Sequence, residues 1–148
     1  MATSTGSSFL DGRIVTAALP LAVGDVVVLA VLLSLGTARH NGFSYLTENP
    51  VGLALTLLPF LVGWVVVAPL VGAYSAGAAE SAKAAVPLAI RSWILADVIG
   101  IALRIALPFD SNGPLMGRLL PIAIFFGVTL VVGVVGLGVW RWLYFKLR

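Results

Sequence analysis

The 148-residue sequence contains no cysteine and one histidine, His40. Without thiols there is no disulfide, no iron–sulfur ligation and no thiolate nucleophile, and the redox compartment is left open. One imidazole cannot supply a zinc or bis-histidine haem site within one subunit, so no metal site and no cofactor are expected on residue grounds. Charge is also scarce: Asp, Glu, Lys and Arg make up 10% of the chain, against roughly 25% in ordinary soluble domains. Too few polar groups remain to coat a surface facing water, and lipid is the expected solvent for most of the chain. The nine basic residues exceed the six acidic ones, but they are scattered over termini and loops. A nucleic-acid partner would need them clustered and is excluded.

Catalytic signatures are missing as well. Gly127, Gly133, Gly136 and Gly138 fall inside an apolar stretch with no strand before them, so they are no phosphate-cradling loop. No serine has a histidine placed by sequence as its base. An enzyme is therefore the weakest class.

What the chain does have is long apolar runs, 60% of its residues being hydrophobic. Four stretches reach the length of about 20 residues that a membrane span needs: 19–38, 51–73, 86–107 and 119–140. A short polar tail, 1–12, precedes them; it lacks a basic cluster and a cleavage site, and the first span is expected to stay in the mature chain. The connections are short, and the last holds the turn formers Asp110, Ser111, Asn112 and Gly113. Short connections force neighbours to run antiparallel. The predicted fold is all-α, a single domain of four antiparallel transmembrane helices.

Arg13, Lys83, Arg91, Arg141, Lys146 and Arg148 fall at one end of such a bundle, and Arg39, Arg104 and Arg118 at the other. This bias predicts a multi-pass cell-membrane protein with both termini in the cytoplasm. Trp140, Trp142, Tyr144 and Phe145, beside Arg141 and Lys146, read as an interfacial anchor for the last span. Small residues recur every fourth position at Ala30, Ser34 and Ala38, at Ala68, Gly72 and Ala76, and at Ser92, Ala96 and Gly100, predicting close helix packing.

The residues that cost most are the charges inside the spans, each carrying an insertion penalty of about 2.5–3.5 kcal/mol at mid-membrane. Asp25 and Arg91 enter their helices from the same side to similar depth, so an Asp25–Arg91 ion pair is expected. Asp97 lies near the midplane with Arg104 seven residues on, nearly the same face but about 10 Å along the axis. It should be protonated, hydrated or bonded to a neighbouring helix. Arg39, His40 and Glu48 gather at the outer mouth, with Arg104, Asp110 and Arg118 at a similar level, and Trp64 reads as a packing aromatic or one wall of a ligand site.

The run Asp25 to Gly36, then Arg39, His40, Pro59-Phe60 and Gly63-Trp64 resembles a family of small four-span membrane proteins of haloarchaea and actinobacteria, the domain of unknown function 3054. The resemblance covers about residues 20–142. It places Asp25 at an early acidic position, Gly36 and His40 in the motif closing the first helix, and Pro59, Phe60, Gly63 and Trp64 in the second-helix element; Thr37 stands where the family pattern has arginine. It implies the four-span fold and a membrane location, and no activity.

Two functional classes follow. The first is a small-solute or ion carrier, working as a homo-oligomer or larger complex, with Asp25 and Asp97 as coupling carboxylates, Arg91 and Arg104 as their partners, and His40 titrating at the gate. The second is an accessory subunit holding another membrane protein, a lipid, a carotenoid or a quinone. Carboxylates facing a hydrated cleft would favour the carrier, and closed ion pairs beside an apolar groove the accessory subunit.

Overall fold

The computed structural model describes residues 10–107 and 114–148; the turn cluster Asp110–Gly113 and most of the polar tail lie outside the described residues. A single 3-10 turn, Thr16–Ala18, leads into α1 (Leu19–Asn41). Then follow α2 (Tyr45–Glu48), α3 (Pro50–Val71), α4 (Ala76–Glu80), α5 (Ala82–Ala106) and α6 (Leu115–Leu147). Helices α1, α3, α5 and α6 are each long and apolar enough to cross a membrane. At 1.5 Å per residue the first three measure about 33–38 Å, a little more than a hydrocarbon core of about 30 Å. The fourth has 33 residues, about 50 Å, and must project beyond the core.

Local chemistry sets the ends. Asn49 caps α3 by accepting from the Gly52 amide at 3.0 Å, with Pro50 at the first helical position, where its missing N–H costs nothing. Gly72 closes the same helix at φ 93°, a left-handed conformation that glycine adopts without steric penalty. Ser75 caps α4. The second small-residue stripe, Ala68–Gly72–Ala76, therefore crosses a helix end and is not one face of a helix. By contrast, Ser92, Ala96 and Gly100 on α5 are all buried.

Buried positions recur every four residues: Leu21, Asp25, Leu29, Leu33 and Thr37 on α1, and Thr129, Gly133, Leu137 and Arg141 on α6. Such a narrow stripe is what remains covered when only one side of a helix meets its neighbours. The outward faces are apolar too, with Val23, Val27, Val31 and Leu35 on α1 and Val128, Val135 and Val139 on α6 all exposed. A helix apolar on every side, in a bundle this small, has lipid around it.

Helix α1 packs on α3 and α6, and α5 packs on the same two, so α1 and α5 sit diagonally across the bundle. The closest approach is α3 to α5: a Cβ on Gly63 would lie 2.5 Å from the Ala96 carbonyl oxygen. Aromatic rings fill the centre, Trp93 lying 6.4 Å from both Phe60 and Trp64, with Phe60 5.8 Å from Phe125. At one end the chain is strapped together by the Val15 amide donating to Tyr74 O at 3.0 Å, and by Arg13 donating to Leu70 O. Arg148 donates to Ala79 O at 3.2 Å at the same end. The N-terminal segment, the α3–α5 connection and the end of α6 thus share one side, as an antiparallel four-helix order requires.

Candidate functional site

Two polar clusters are built into the apolar bundle. At the end carrying the chain termini, α1 presents Asp25 and α6 presents Arg141, both fully buried. The guanidinium grips the carboxylate with two bonds, Nε to Oδ1 at 3.1 Å and Nη2 to Oδ2 at 2.6 Å. Its remaining nitrogen, Nη1, donates to Ala73 O at 3.1 Å and Ala85 O at 2.9 Å. Tyr74 donates its hydroxyl to Asp25 Oδ2 at 3.0 Å and accepts from the indole of Trp64 at 2.8 Å. The Arg141 guanidinium also lies 5.6 Å from the centre of the Tyr74 ring. Burial first, and then the neighbouring Asp25 carboxylate, raise the Tyr74 hydroxyl well above the ordinary tyrosine range, so it stays a donor. Planar, bidentate pairing with the other donors satisfied is the arrangement in which a buried ion pair holds. All four spans are tied by it: α1 and α6 through the pair itself, α3 through Trp64 and the junction after it, α5 through Ala85.

The expected Asp25–Arg91 pair is not formed. Arg91 sits on the outward face of α5 and is exposed, because α1 and α5 are diagonal rather than adjacent. Its long side chain can carry its charge toward the nearer membrane surface. Arg141, read from sequence as part of the interfacial anchor, is the true partner. Gly24 beside Asp25 leaves room for the indole of Trp140, which a Cβ there would strike at 1.8 Å, and this close crossing brings Arg141 level with Asp25. One signal was available: Arg141 continues the four-residue stripe of Thr129, Gly133 and Leu137. Trp142 is exposed, as an interfacial ring would be, and has Lys146 Nζ 4.5 Å from its ring centre.

The second cluster is at the middle of the bundle. Asp97 on α5 is fully buried and accepts from the Thr129 hydroxyl of α6 at 2.9 Å, while its Oδ2 has no hydrogen-bond partner. The same hydroxyl lies 3.0 Å from the carbonyls of both Phe125 and Phe126. Of the three states expected for Asp97, the structure gives the bond to a neighbouring helix. Arg104 does not reach down to it; its guanidinium lies 5.1 Å from the centre of the Phe125 ring.

Thr129 is also part of the wall of a cleft of about 540 Å³ between α1, α5 and α6. Leu29, Leu33, Trp93, Val132 and Gly133 form its apolar depth, and Thr37, His40, Asn41, Thr56 and Arg104 bring polar groups to its mouth. Its outer lip carries Ile124 and Val128, exposed on the outside of α6. The size and the mixture of an apolar interior with a few polar groups are those of a small-molecule site. Of the outer-mouth residues, His40 joins Arg104 at this cleft, whereas Arg39 and Glu48 are exposed and do not line it. Trp64 is 1% exposed in the core and is no part of the cleft wall. Thr56 and Thr129 gave no signal in the sequence, and Thr37 stood out only against the family pattern, because a threonine in an apolar helix can satisfy its own hydroxyl on the preceding turn.

The fold and these clusters define a multi-pass integral membrane protein of four helices, closed at one end by a buried ion pair and cleft toward the other. The chain belongs to the protein family of unknown function DUF3054, whose model matches residues 22–144 and so covers both polar clusters. No curated protein and no solved structure matches the chain.

Proposed function

We propose that the protein is a non-catalytic membrane subunit that holds a lipid-soluble molecule in the cleft between α1, α5 and α6. The observation carrying this reading is the contrast between the two ends of the bundle. At one, the fully buried Asp25 carboxylate is bonded by Arg141 and Tyr74, and the carbonyls of Ala73 and Ala85 hold Arg141 in turn. At the other, a cleft of about 540 Å³ opens between apolar lips. Gly36 lines it, and a Cβ on Gly36 would meet nothing within 4 Å. A Gly36→Leu chain should therefore fold normally with the cleft narrowed at that point. Extraction of both proteins after purification in mild detergent, followed by mass spectrometry, is expected to give one lipophilic class enriched in the wild type and depleted in the variant. Identical extracts from two equally stable proteins would refute the reading.

A proton-linked carrier is the second reading, favoured by Asp97 alone. The Thr129 hydroxyl has one proton and three oxygens within 3.0 Å, so an Asp97 carboxyl that donates to Thr129 satisfies more of the cluster than a carboxylate does. A mid-membrane carboxyl able to release that proton toward the cleft would couple it to transport. Asp97→Asn would then keep the fold and abolish pH-driven flux in vesicles; an unchanged flux would remove Asp97 from any coupling role. On this reading a solute path would run between subunits of an oligomer, since aromatic rings block the centre of the bundle.

We also assign the protein to the cell membrane with both termini in the cytoplasm, supported by Arg13, Lys83, Lys146 and Arg148 at that end. The absence of native cysteine makes this simple to check. Lys83→Cys should react with an impermeant maleimide only after cells are opened, and Glu48→Cys in intact cells; the reverse pattern would invert the assignment.

A further inference from the structure

Arg91 stands on the outward face of α5, with the exposed Lys83 and Pro87 on the side of the termini. On its other side come Ile94, Leu95 and Val98, 41–50% exposed. Such apolar neighbours mark a face that lipid covers. Among the described residues Arg91 makes no ion pair, hydrogen bond or ring contact. A charge facing lipid needs a counter-ion, and the chain has none to give. Of its six acidic residues, Asp25 is held by Arg141, and Asp97 is bonded by Thr129. Glu48 lies in α2, at the opposite end of the bundle, and Asp110 follows the far end of α5 in the sequence. Asp11 and Glu80 lie outside the spans, in the N-terminal segment and in α4. The anion that neutralises Arg91 therefore comes from outside the molecule.

Depth and direction say which anion. Helix α5 has 25 residues, about 38 Å, and centred in a hydrocarbon core of about 30 Å it overshoots by about 4 Å at each end. Arg91 is nine residues past Ala82, about 14 Å along the axis, so its backbone lies about 10 Å inside the core boundary on the side of the termini. Helical side chains lean toward the N-terminus of their helix, here toward that same boundary. An arginine stem lies along apolar surface while its head reaches for the interface, and the bilayer thins locally to meet it. The first anions met there are phosphates of lipid headgroups, which guanidinium binds through planar, two-point hydrogen bonding.

Pro87 adds a second point of contact. Having no N–H, it cannot bond the Lys83 carbonyl one turn back, an acceptor that other groups must satisfy in a membrane helix. Lys83, Pro87 and Arg91 share the exposed side of α5, so a headgroup seated on Arg91 brings its own donor to that turn.

We propose that Arg91 and the Lys83–Pro87 turn form a site for one phospholipid of the leaflet on the side of the termini, its phosphate on the Arg91 guanidinium and a headgroup hydroxyl donating to the Lys83 carbonyl. The site shares no residue with the cleft wall and stands whether or not the cleft is occupied.

The test uses the full chain, delipidated in nonionic detergent and titrated with labelled phosphatidylglycerol or with labelled diacylglycerol of the same chains. The wild type should bind phosphatidylglycerol saturably and at least about tenfold more tightly than diacylglycerol, the scale expected of charge-assisted hydrogen bonds. Folded Arg91→Gln should lose that preference. Gly36→Leu, in the cleft, and Arg39→Gln, in the last turn of α1 at the opposite end, should keep it. Equal wild-type affinities, or an undiminished preference in Arg91→Gln, overturn the proposal. So does loss of the preference in Gly36→Leu, which would move the phosphate to the cleft. Release of the lipid by inorganic phosphate alone would make Arg91 a site for free anions. A wild-type assembly that Arg91→Gln splits, with no lipid preference, would make the counter-ion a carboxylate of another chain. Either result overturns the assignment to a lipid.

Discussion

Asp25 and Arg141 each lose their hydration on entering the bundle, and each is tolerated only because the other is there. Removing one leaves a buried charge without its counter-ion, which costs about 3–5 kcal/mol, whereas replacing both by apolar residues of similar size is often neutral. Asp25→Asn and Arg141→Met alone should each lower stability in a denaturation titration in detergent by amounts of that order. The double substitution Asp25→Leu with Arg141→Met should recover most of the loss; additive losses would contradict a direct pair. At this scale the sequence announced that Asp25 needed a partner, through the penalty of a charge in lipid. It pointed to Arg91, at the same depth, because Arg141 lay past the expected end of the last span; the diagonal placement of α1 and α5 keeps Arg91 away. Asp97 was equally conspicuous, while its partner Thr129 carries no charge to signal it.

The helices themselves depend on where backbones can approach. Gly63 is pressed against the Ala96 carbonyl, so Gly63→Ala must push α3 and α5 apart. Overpacking of this kind costs about 1–3 kcal/mol. Gly127 on α6 has nothing within 4 Å of a new Cβ, and Gly127→Ala should be neutral or stabilising by up to about 1 kcal/mol. Comparing the two unfolding midpoints checks the packing, and equal effects would contradict it. Helix positions were readable from apolar runs alone, since four stretches of about 20 residues, charged only at Asp25, Arg91, Asp97 and Arg104, leave little choice. Helices α2 and α4 were not, being four and five residues long and lying in polar connections where hydropathy has no period to follow. Helix α6 runs past the expected span of 119–140 at both ends, from Leu115 to Leu147, and Arg141 is bonded to Asp25 inside the bundle.

For the molecule as a whole, an even number of antiparallel spans puts the termini together, and there the ion pair, the Tyr74–Trp64 chain and the N-terminal strap close the bundle. Toward the far end α1 and α6 frame an opening, and the polar side chains gather on its rim. The four-span fold was legible in composition and spacing. The cleft was not, since its walls come from α1, α5 and α6 together and no single stretch of sequence encodes it. An experimental density map of the protein in a lipid nanodisc tests the central claim most directly. The account predicts elongated density in the cleft along Leu29 to Asn41. A map with α1 and α6 in contact over their full length, and no space between them, would contradict it.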